Sequence, residues 1–234
     1  MSNGKVEYVL FDMDGLLIDS ERVYSEVTND ILAEYGKVMT WDIKAGLMGK
    51  PERDAAAHLL SFFPDLPEEF TIDTYLDLRR AGQDARWPHV KPLPGVIKLI
   101  RHLHKHKVPM AVATSSMRRN FELKSSHLID DLFGYFDAAK TCLGREVGEG
   151  EEGESHLTDE YRSERAKGLV FEDSIPGMQA AKRAGMRVVW VPDPELLAIG
   201  NGDTSNTLEQ ADLMLNSLEH FKPEEWGLPP YDEV

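Results

Sequence analysis

Carboxylate and hydroxyl side chains follow four short apolar runs of this sequence. The residues concerned are Asp12 and Asp14, then Thr114 to Ser116, then Glu172 and Asp173, and finally Asp193. A single aspartate after an apolar run commonly begins a loop, and Asp14-Gly15 is a common turn. Several carboxylates brought to one place would repel one another unless they are protonated or neutralised by a cation. Oxygen ligands with little nitrogen or sulfur favour Mg²⁺.

The four apolar runs have the composition of buried strands. They cover residues 6–11, 108–114, 168–171 and 187–191, and they are rich in β-branched and aromatic residues. Helical patterns lie between them, one opened by Pro94 and another by Pro176 and closed by Gly185. This alternation predicts an α/β fold with a doubly wound, Rossmann-like parallel sheet, in which ligands bind at the carboxyl ends of the strands.

Residues 18–88 carry helical spacing and no strand pattern, with Val23, Val27 and Ile31 as the clearest apolar series. We therefore predict a core domain made of residues 1–17 and 89–234, and a helical cap domain made of residues 18–88. An insert placed directly after the first strand would lie over the carboxyl edge of the sheet. The chain returns to the core through the proline-rich stretch VKPLPGV.

The composition is that of a globular chain with a strongly acidic balance. Among 234 residues, 41 are acidic and 26 basic, which gives a net charge of −15. This field disfavours nucleic acids and anionic membranes as partners, so a small phosphorylated metabolite would need a locally positive site. The single cysteine, Cys142, excludes an intrachain disulfide and suits a reducing compartment. With no export or membrane-spanning pattern, we expect a cytoplasmic protein, and we expect a monomer.

Several stretches of the sequence resemble one enzyme superfamily. FDMDGLLIDSERVY, WDIKAGLMGK, LPGV, VPMAVATSS and LVFEDSIPGMQAAKRAGM are together similar to the haloacid dehalogenase (HAD) superfamily. The similarity is to its branch with a helical cap, which includes phosphatases of pseudouridine 5'-phosphate, sugar phosphates and glycerol phosphate. The resemblance implies Mg²⁺-dependent hydrolysis of a small phosphomonoester, namely a sugar, polyol or nucleoside phosphate, through an aspartyl-phosphate intermediate.

The resemblance also implies a role for each acidic residue. Asp12 would be the nucleophile, and Asp14 would protonate the leaving alcohol and then activate water. Mg²⁺ would bind Asp12, the backbone carbonyl of Asp14 and Asp173. Glu172 would act through water or hold a neighbouring group.

The same resemblance implies contacts to the substrate phosphate. The residues that would supply them are Thr114, the Ser115 N–H, and the backbone of Gly15 and Leu16. In the cap, Lys50 and Arg53 of MGKPER could supply positive charge, although lysine and arginine on a helical surface are commonly solvated.

Residues 148–153, GEGEEG, match the G-x-G-x-x-G pattern of dinucleotide-binding loops. The match lacks its required context, because no apolar helix follows and three of the six residues are glutamates. HAD phosphatases normally carry a phosphate-binding lysine in this part of the chain. Here Lys140 would lie within a strand and Lys167 at the wrong end of the next one, so the acidic stretch 144–167 replaces the lysine motif. The alternatives to an active phosphatase are therefore an impaired or non-catalytic relative that binds a ligand, and a phosphomutase.

His102 and His106 lie four residues apart, which is a spacing that can bind a metal. They stand opposite the apolar face of their predicted helix, among Arg101, Lys105 and Lys107. We predict that they form a solvated basic face.

Overall fold

The computed structural model describes residues 5–47, 50–136, 142–143, 158–199 and 211–232. The strands are β1 (Tyr8–Phe11), β2 (Met110–Thr114), β3 (Cys142–Leu143), β4 (Gly168–Glu172), β5 (Arg187–Trp190) and β6 (Leu213–Met214). The helices are α1 (Ser20–Ala33), α2 (Trp41–Leu47), α3 (Glu52–Ser61), α4 (Ile72–Arg86), α5 (Val96–Lys105), α6 (Arg118–Ser125), α7 (Asp159–Arg165), α8 (Ile175–Arg183) and α9 (Pro194–Ile199).

The strands form one sheet in the order β3-β2-β1-β4-β5-β6, and every neighbouring pair is parallel. This confirms the predicted doubly wound α/β fold. The central strands are buried on both faces, because residues of both orientations, such as Val170 and Phe171, are shielded from solvent. The Phe11 and Phe171 rings stack across β1 and β4 with their centroids 4.9 Å apart. Phe11 and Phe171 are also partners in the register of β1 and β4, so the ends of the two strands lie level with each other.

Helices α1 to α4 all lie between β1 and β2 in the chain, within the predicted cap. The two connections between this segment and the sheet run side by side. The Leu93 N–H donates to Leu17 O at 3.2 Å, and the Asp19 N–H donates to Lys91 O at 2.9 Å. The division into a core and a cap at residues 17/18 and 88/89 remains a proposal, and this pairing of the two connections supports it.

The C-terminal segment covers α5 and one face of the sheet. Phe221 packs edge-on against Phe171 at 4.8 Å between ring centroids. His102 is buried, and its Nε2 lies 2.9 Å from the carbonyl oxygen of Pro229. The prediction of a solvated face is therefore wrong for His102, because the tail covers it, whereas His106 is exposed. Among the described residues, no helix has both the length and the apolar character that a membrane crossing requires.

The start of α5 lies close to the backbone of the C-terminal segment at Gly95, and a substitution there tests this contact. Its φ is +83°, and a Cβ there would lie 2.4 Å from the backbone nitrogen of Glu219. Gly36 also has a positive φ, +67°, but a Cβ there would meet nothing within 4 Å. Gly36→Ala should therefore lower the free energy of unfolding by about 1–2 kcal/mol, and Gly95→Ala by about 2–5 kcal/mol. Urea denaturation measures both, and equal losses would contradict the close approach.

Candidate active site

Three carboxylates meet at the carboxyl ends of β1 and β4. Asp12 follows β1, Glu172 ends β4, and Asp173 comes next. The two strand ends are locked together because the Asp12 N–H donates to Phe171 O at 3.0 Å. One ligand oxygen from each of the three carboxylates lies within 4.8 Å of the other two. The structure thus brings Asp12 together with Glu172 and Asp173, which lie much later in the sequence.

Burial and mutual repulsion make these carboxylates hard to ionise. Burial raises the pKa of Asp12 well above its usual range, and Glu172, Asp173 and Asp14 raise it further. The pKa of Asp173 is also raised well above its usual range, first by burial and then by Glu172 and Glu21. Burial raises the pKa of Glu172, against hydrogen bonds from Ser174. A hard divalent cation, bound by oxygen ligands, would neutralise this set, so the residues present fit Mg²⁺.

Two glycines let the backbone approach these carboxylates. A Cβ on Gly15, whose φ is +83°, would lie 2.3 Å from Asp173 Oδ2. A Cβ on Gly177, in the first turn of α8, would lie 1.8 Å from Glu172 Oε1. Side chains of any size at these positions would displace the carboxylates.

The polar residues around the cluster hold it in place. The Ser174 N–H donates to Glu172 Oε2 at 2.9 Å, and Trp190 Nε1 donates to the Asp173 carbonyl at 2.8 Å. The Gly15 N–H donates to Ile18 O at 3.1 Å, so this expected phosphate donor is engaged within its own loop. Leu16 is buried. The phosphate roles of Gly15 and Leu16 stay predictions.

Asp14 lies beside the carboxylate cluster and is held by two side chains from the β2–α6 region. Ser116 Oγ donates to Asp14 Oδ2 at 2.6 Å, and Lys124 Nζ donates to Asp14 Oδ1 at 2.6 Å. The Lys124 side chain is fully buried, whereas that of Asp14 is 21% exposed. Burial lowers the pKa of Lys124, but Asp14 and Tyr24 oppose this and the net shift is upward. Lys124 is therefore a buried ammonium at the edge of the site.

Lys124 is not among the site residues predicted from the sequence. A signal for it exists, because Phe121, Lys124 and Leu128 follow one another at spacings of three and four. Lys124 thus occupies a position that an apolar residue would fill on the buried side of α6. A lysine in such a position needs a buried partner. The carboxylate of Asp14, 110 residues earlier in the chain, is that partner.

A cavity of about 380 Å³ separates this edge of the sheet from helices α1 to α4. Its polar lining residues are Asp14, Glu21, Tyr24, Thr28, Lys44, Lys50, Glu52, Tyr75, Arg79, Ser115, Ser116 and Asn120. Lys44 pairs with Glu21 at 3.1 Å, and Arg79 with Glu52 at 3.6 Å. The cavity wall is therefore polar, and two of its cations already have carboxylate partners.

The predicted phosphate and cap residues lie at different distances from this cavity. Lys50 and Ser115 line it, whereas Arg53 points to Asp73, with Arg53 Nη1 2.5 Å from Asp73 Oδ1. Thr114 is buried below the cavity, and its Oγ1 accepts a hydrogen bond from the Ser116 N–H at 3.1 Å. The roles of these four residues stay predictions, and the pairing of Arg53 with Asp73 weighs against the one given to Arg53.

The one lysine of the 137–167 region that the structure describes does not supply the positive charge expected from the lysine motif. Lys167 pairs with Glu164 at 2.8 Å and Glu7 at 3.3 Å, before β4 begins, at the opposite end of the strand from Glu172. Lys140 and the stretch GEGEEG lie outside the described residues.

The model of the haloacid dehalogenase-like hydrolase family matches residues 9–191. The chain belongs to this family. It is 35% identical to (DL)-glycerol-3-phosphatase 2 of Arabidopsis thaliana, over 98% of this chain and 95% of the relative. It is 36% identical to a probable pseudouridine-5'-phosphatase of Saccharomyces cerevisiae, over 95% of this chain and 98% of the relative. These matches confirm the resemblance inferred from the sequence motifs.

Solved structures of this HAD family share the fold. A HAD family hydrolase from Deinococcus radiodurans, solved with bound phosphate and sodium, aligns with a TM-score of 0.71 at 23% identity. The alignment covers 97% of this chain and 99% of that one. A putative β-phosphoglucomutase from Thermotoga maritima aligns with a TM-score of 0.63 at 26% identity, over 90% of this chain and 94% of that one.

Neutralising one carboxylate of the cluster tests the metal site. Asp173→Asn removes charge repulsion, so in EDTA it should raise the melting temperature by about 2–4 °C for each kcal/mol of relief. Mg²⁺ should raise the melting temperature of the unsubstituted protein and of Asp173→Asn much less. Glu68→Gln, at an exposed turn residue, is the charge-matched control and should leave the Mg²⁺ effect intact.

The pH dependence of stability provides a second readout. Because the pKa values of Asp12 and Asp173 are raised on folding, the metal-free folded state binds more protons than the unfolded state. Stability in EDTA should therefore fall as the pH rises from the usual aspartate range through the raised values. Asp173→Asn should flatten this slope. If Mg²⁺ does not change the melting temperature at any pH, the metal site is excluded.

Proposed function

We propose that the chain is a phosphatase that hydrolyses small phosphomonoesters of polyols, sugars or nucleosides through an aspartyl-phosphate on Asp12. The supporting observation is the cluster formed by Asp12, Glu172 and the buried Asp173, next to an Asp14 that lines a polar cavity. A nucleophilic carboxylate and a second, partly exposed carboxylate two residues later provide both groups that this reaction needs.

The reaction divides into two steps. In the first, an Asp12 oxygen attacks phosphorus, the bond between phosphorus and the leaving oxygen breaks, and Asp14 gives its proton to that oxygen. In the second, Asp14 takes a proton from water as the water oxygen attacks phosphorus, and the bond to Asp12 breaks. Inorganic phosphate leaves, Asp12 is again a carboxylate and Asp14 is protonated again.

The side chains of Asp12, Glu172 and Asp173 would hold Mg²⁺, with the Asp14 carbonyl as a further ligand. When bound, Mg²⁺ supplies positive charge that neutralises the oxygens of the transferring phosphoryl group. Thr114, which ends β2, and Ser115, which follows it, are the proposed phosphate contacts.

The cavity supports a polar leaving group of modest size. Its volume of about 380 Å³ falls at the lower end of the range for small-molecule sites, roughly 300–1,000 Å³. Hydroxyl-bearing side chains, among them Tyr24, Thr28 and Tyr75, line it and suit a substrate with several hydroxyl groups. Lys50 forms no ion pair among the described residues and is the proposed cap cation for the substrate. The relatives named for glycerol phosphate and pseudouridine phosphate agree with this class.

Asp12→Asn tests the proposed nucleophile. An amide cannot form the acyl-phosphate, so phosphate release should fall by a factor on the order of 10⁶, the loss seen when a covalent nucleophile is removed. The control is Asp130→Asn, which makes the same change at an exposed turn residue.

The assay compares glycerol 3-phosphate, ribose 5-phosphate, pseudouridine 5'-phosphate and glucose 1-phosphate, with Mg²⁺ or EDTA. Normal turnover by a folded Asp12→Asn variant would exclude Asp12 as the nucleophile. Conversion of glucose 1-phosphate to glucose 6-phosphate without phosphate release would identify a mutase instead.

The missing lysine motif predicts a slow enzyme. The charged groups that act most strongly on Asp12 are three carboxylates, Glu172, Asp173 and Asp14. Loss of one charge-stabilising donor typically costs about 10²–10³ in rate. Replacing residues 144–167 by the lysine-bearing segment of an active HAD phosphatase should therefore raise kcat by about that factor. A graft of the same length with its lysine changed to methionine is the control, and equal turnover of both grafts would contradict the prediction.

A further inference from the structure

Lys124 makes a complete set of hydrogen bonds inside the protein. Its Nζ donates to Asp14 Oδ1 at 2.6 Å, to Tyr24 OH at 3.1 Å and to Ser116 Oγ at 3.2 Å. An ammonium has three donors, so all three are satisfied. The Trp87 ring centroid lies 4.5 Å from the same nitrogen, within the range of a cation–π contact. Three hydrogen bonds and one cation–π contact thus restrain the position of the Lys124 ammonium.

Asp14 is in turn held by both of its carboxylate oxygens. Lys124 binds Oδ1, and the Ser116 hydroxyl donates to Oδ2 at 2.6 Å. A carboxylate with one restrained oxygen can still rotate, whereas one restrained at both oxygens has a fixed plane. The exposed fifth of the Asp14 side chain then faces the cavity. Lys124 itself does not line that cavity, whereas Asp14, Tyr24 and Ser116, to which it donates, all do. Of these three residues, Asp14 is the proposed proton donor.

We propose that Lys124 is a positioning residue for Asp14: together with the Ser116 hydroxyl, it fixes the plane of the Asp14 carboxylate at the cavity wall. This inference rests on the proposed phosphatase function. It assigns to α6 a role separate from binding phosphate, because the contacts of Lys124 are to Asp14, Tyr24, Ser116 and Trp87. Lys124 therefore does not replace the lysine that the 144–167 stretch lacks.

Substrates with different leaving groups distinguish a positioning role of Lys124 from a merely structural one. An alkyl phosphate releases a basic alkoxide that needs the proton of Asp14, whereas p-nitrophenyl phosphate releases a stable phenolate that needs none. The constant kcat/KM covers the steps up to and including transfer of phosphoryl to Asp12. A defect in the placement of Asp14 should therefore reduce kcat/KM for the alkyl phosphate and spare the aryl phosphate.

The experiment measures kcat/KM with Mg²⁺ for glycerol 3-phosphate and p-nitrophenyl phosphate. Lys124→Met keeps the length and volume of the side chain and removes the charge. It should lower kcat/KM for glycerol 3-phosphate by roughly 10²-fold, the cost of a misplaced catalytic group, and leave that for p-nitrophenyl phosphate unchanged. Equal losses on both substrates would overturn the proposal.

A double-mutant cycle shows whether Lys124 acts through Asp14. Asp14→Asn alone should reproduce the selective loss on glycerol 3-phosphate. In the Asp14→Asn background, Lys124→Met should cause no further loss, because residues that act through one another are not additive. Additive losses would overturn the proposal.

Two outcomes remain informative if a variant is unstable or the enzyme is inactive. If Lys124→Met does not fold, Ser116→Ala removes the other restraint on Asp14 and should give a smaller loss with the same selectivity. Absence of that selectivity would overturn the inference. If the unsubstituted protein hydrolyses neither substrate, the proposed function fails and this inference fails with it, whereas turnover combined with unselective losses removes only the role of Lys124.

Discussion

Repulsion between the clustered carboxylates at the ends of β1 and β4 is the constraint on which the rest of the site depends. Asp12, Glu172 and Asp173 lie at the ends of two adjacent parallel strands, in a region where water screens their charges poorly. The pairing of β1 with β4 fixes these positions, so the fold itself creates the conflict. The repulsion decreases when the carboxylates bind protons or a cation. The stability of the fold therefore depends on pH and on metal binding at this edge of the sheet.

The backbone around the carboxylates is shaped to keep them close. Gly15 and Gly177 stand where any Cβ would collide with Asp173 and Glu172. Hydrogen bonds from Ser174 and Trp190 then hold the same two residues from the side of α8 and β5. Small residues in the loops therefore provide the space, and polar side chains on the neighbouring elements fix the orientation.

The sequence predicts the sheet well because buried parallel strands have a strong local signal. The runs that end before Asp12, at Thr114 and before Glu172 become β1, β2 and β4. Lys124 and the burial of His102 were not predicted, because each depends on a partner far away in the chain. The carboxylate of Asp14 is 110 residues from Lys124, and the carbonyl of Pro229 is 127 residues from His102. A local sequence pattern does not identify such a distant partner. A lysine at an apolar position of a helix does indicate that a buried partner is needed.

Lys124 and Asp14 also explain why a charge can be buried in so acidic a chain. Lys124 without Asp14 would be an uncompensated buried charge, and removing one partner of a buried pair typically costs about 3–5 kcal/mol. Together they satisfy each other, and Tyr24 and Ser116 take the remaining donors. Tyr24 belongs to α1, whereas Ser116 follows β2, so this one ammonium joins the first helix after β1 to the segment after the second strand. Lys124, which orients Asp14, therefore also connects the inserted helices to the sheet. The geometry of the site thus depends on the packing between the inserted helices and the sheet.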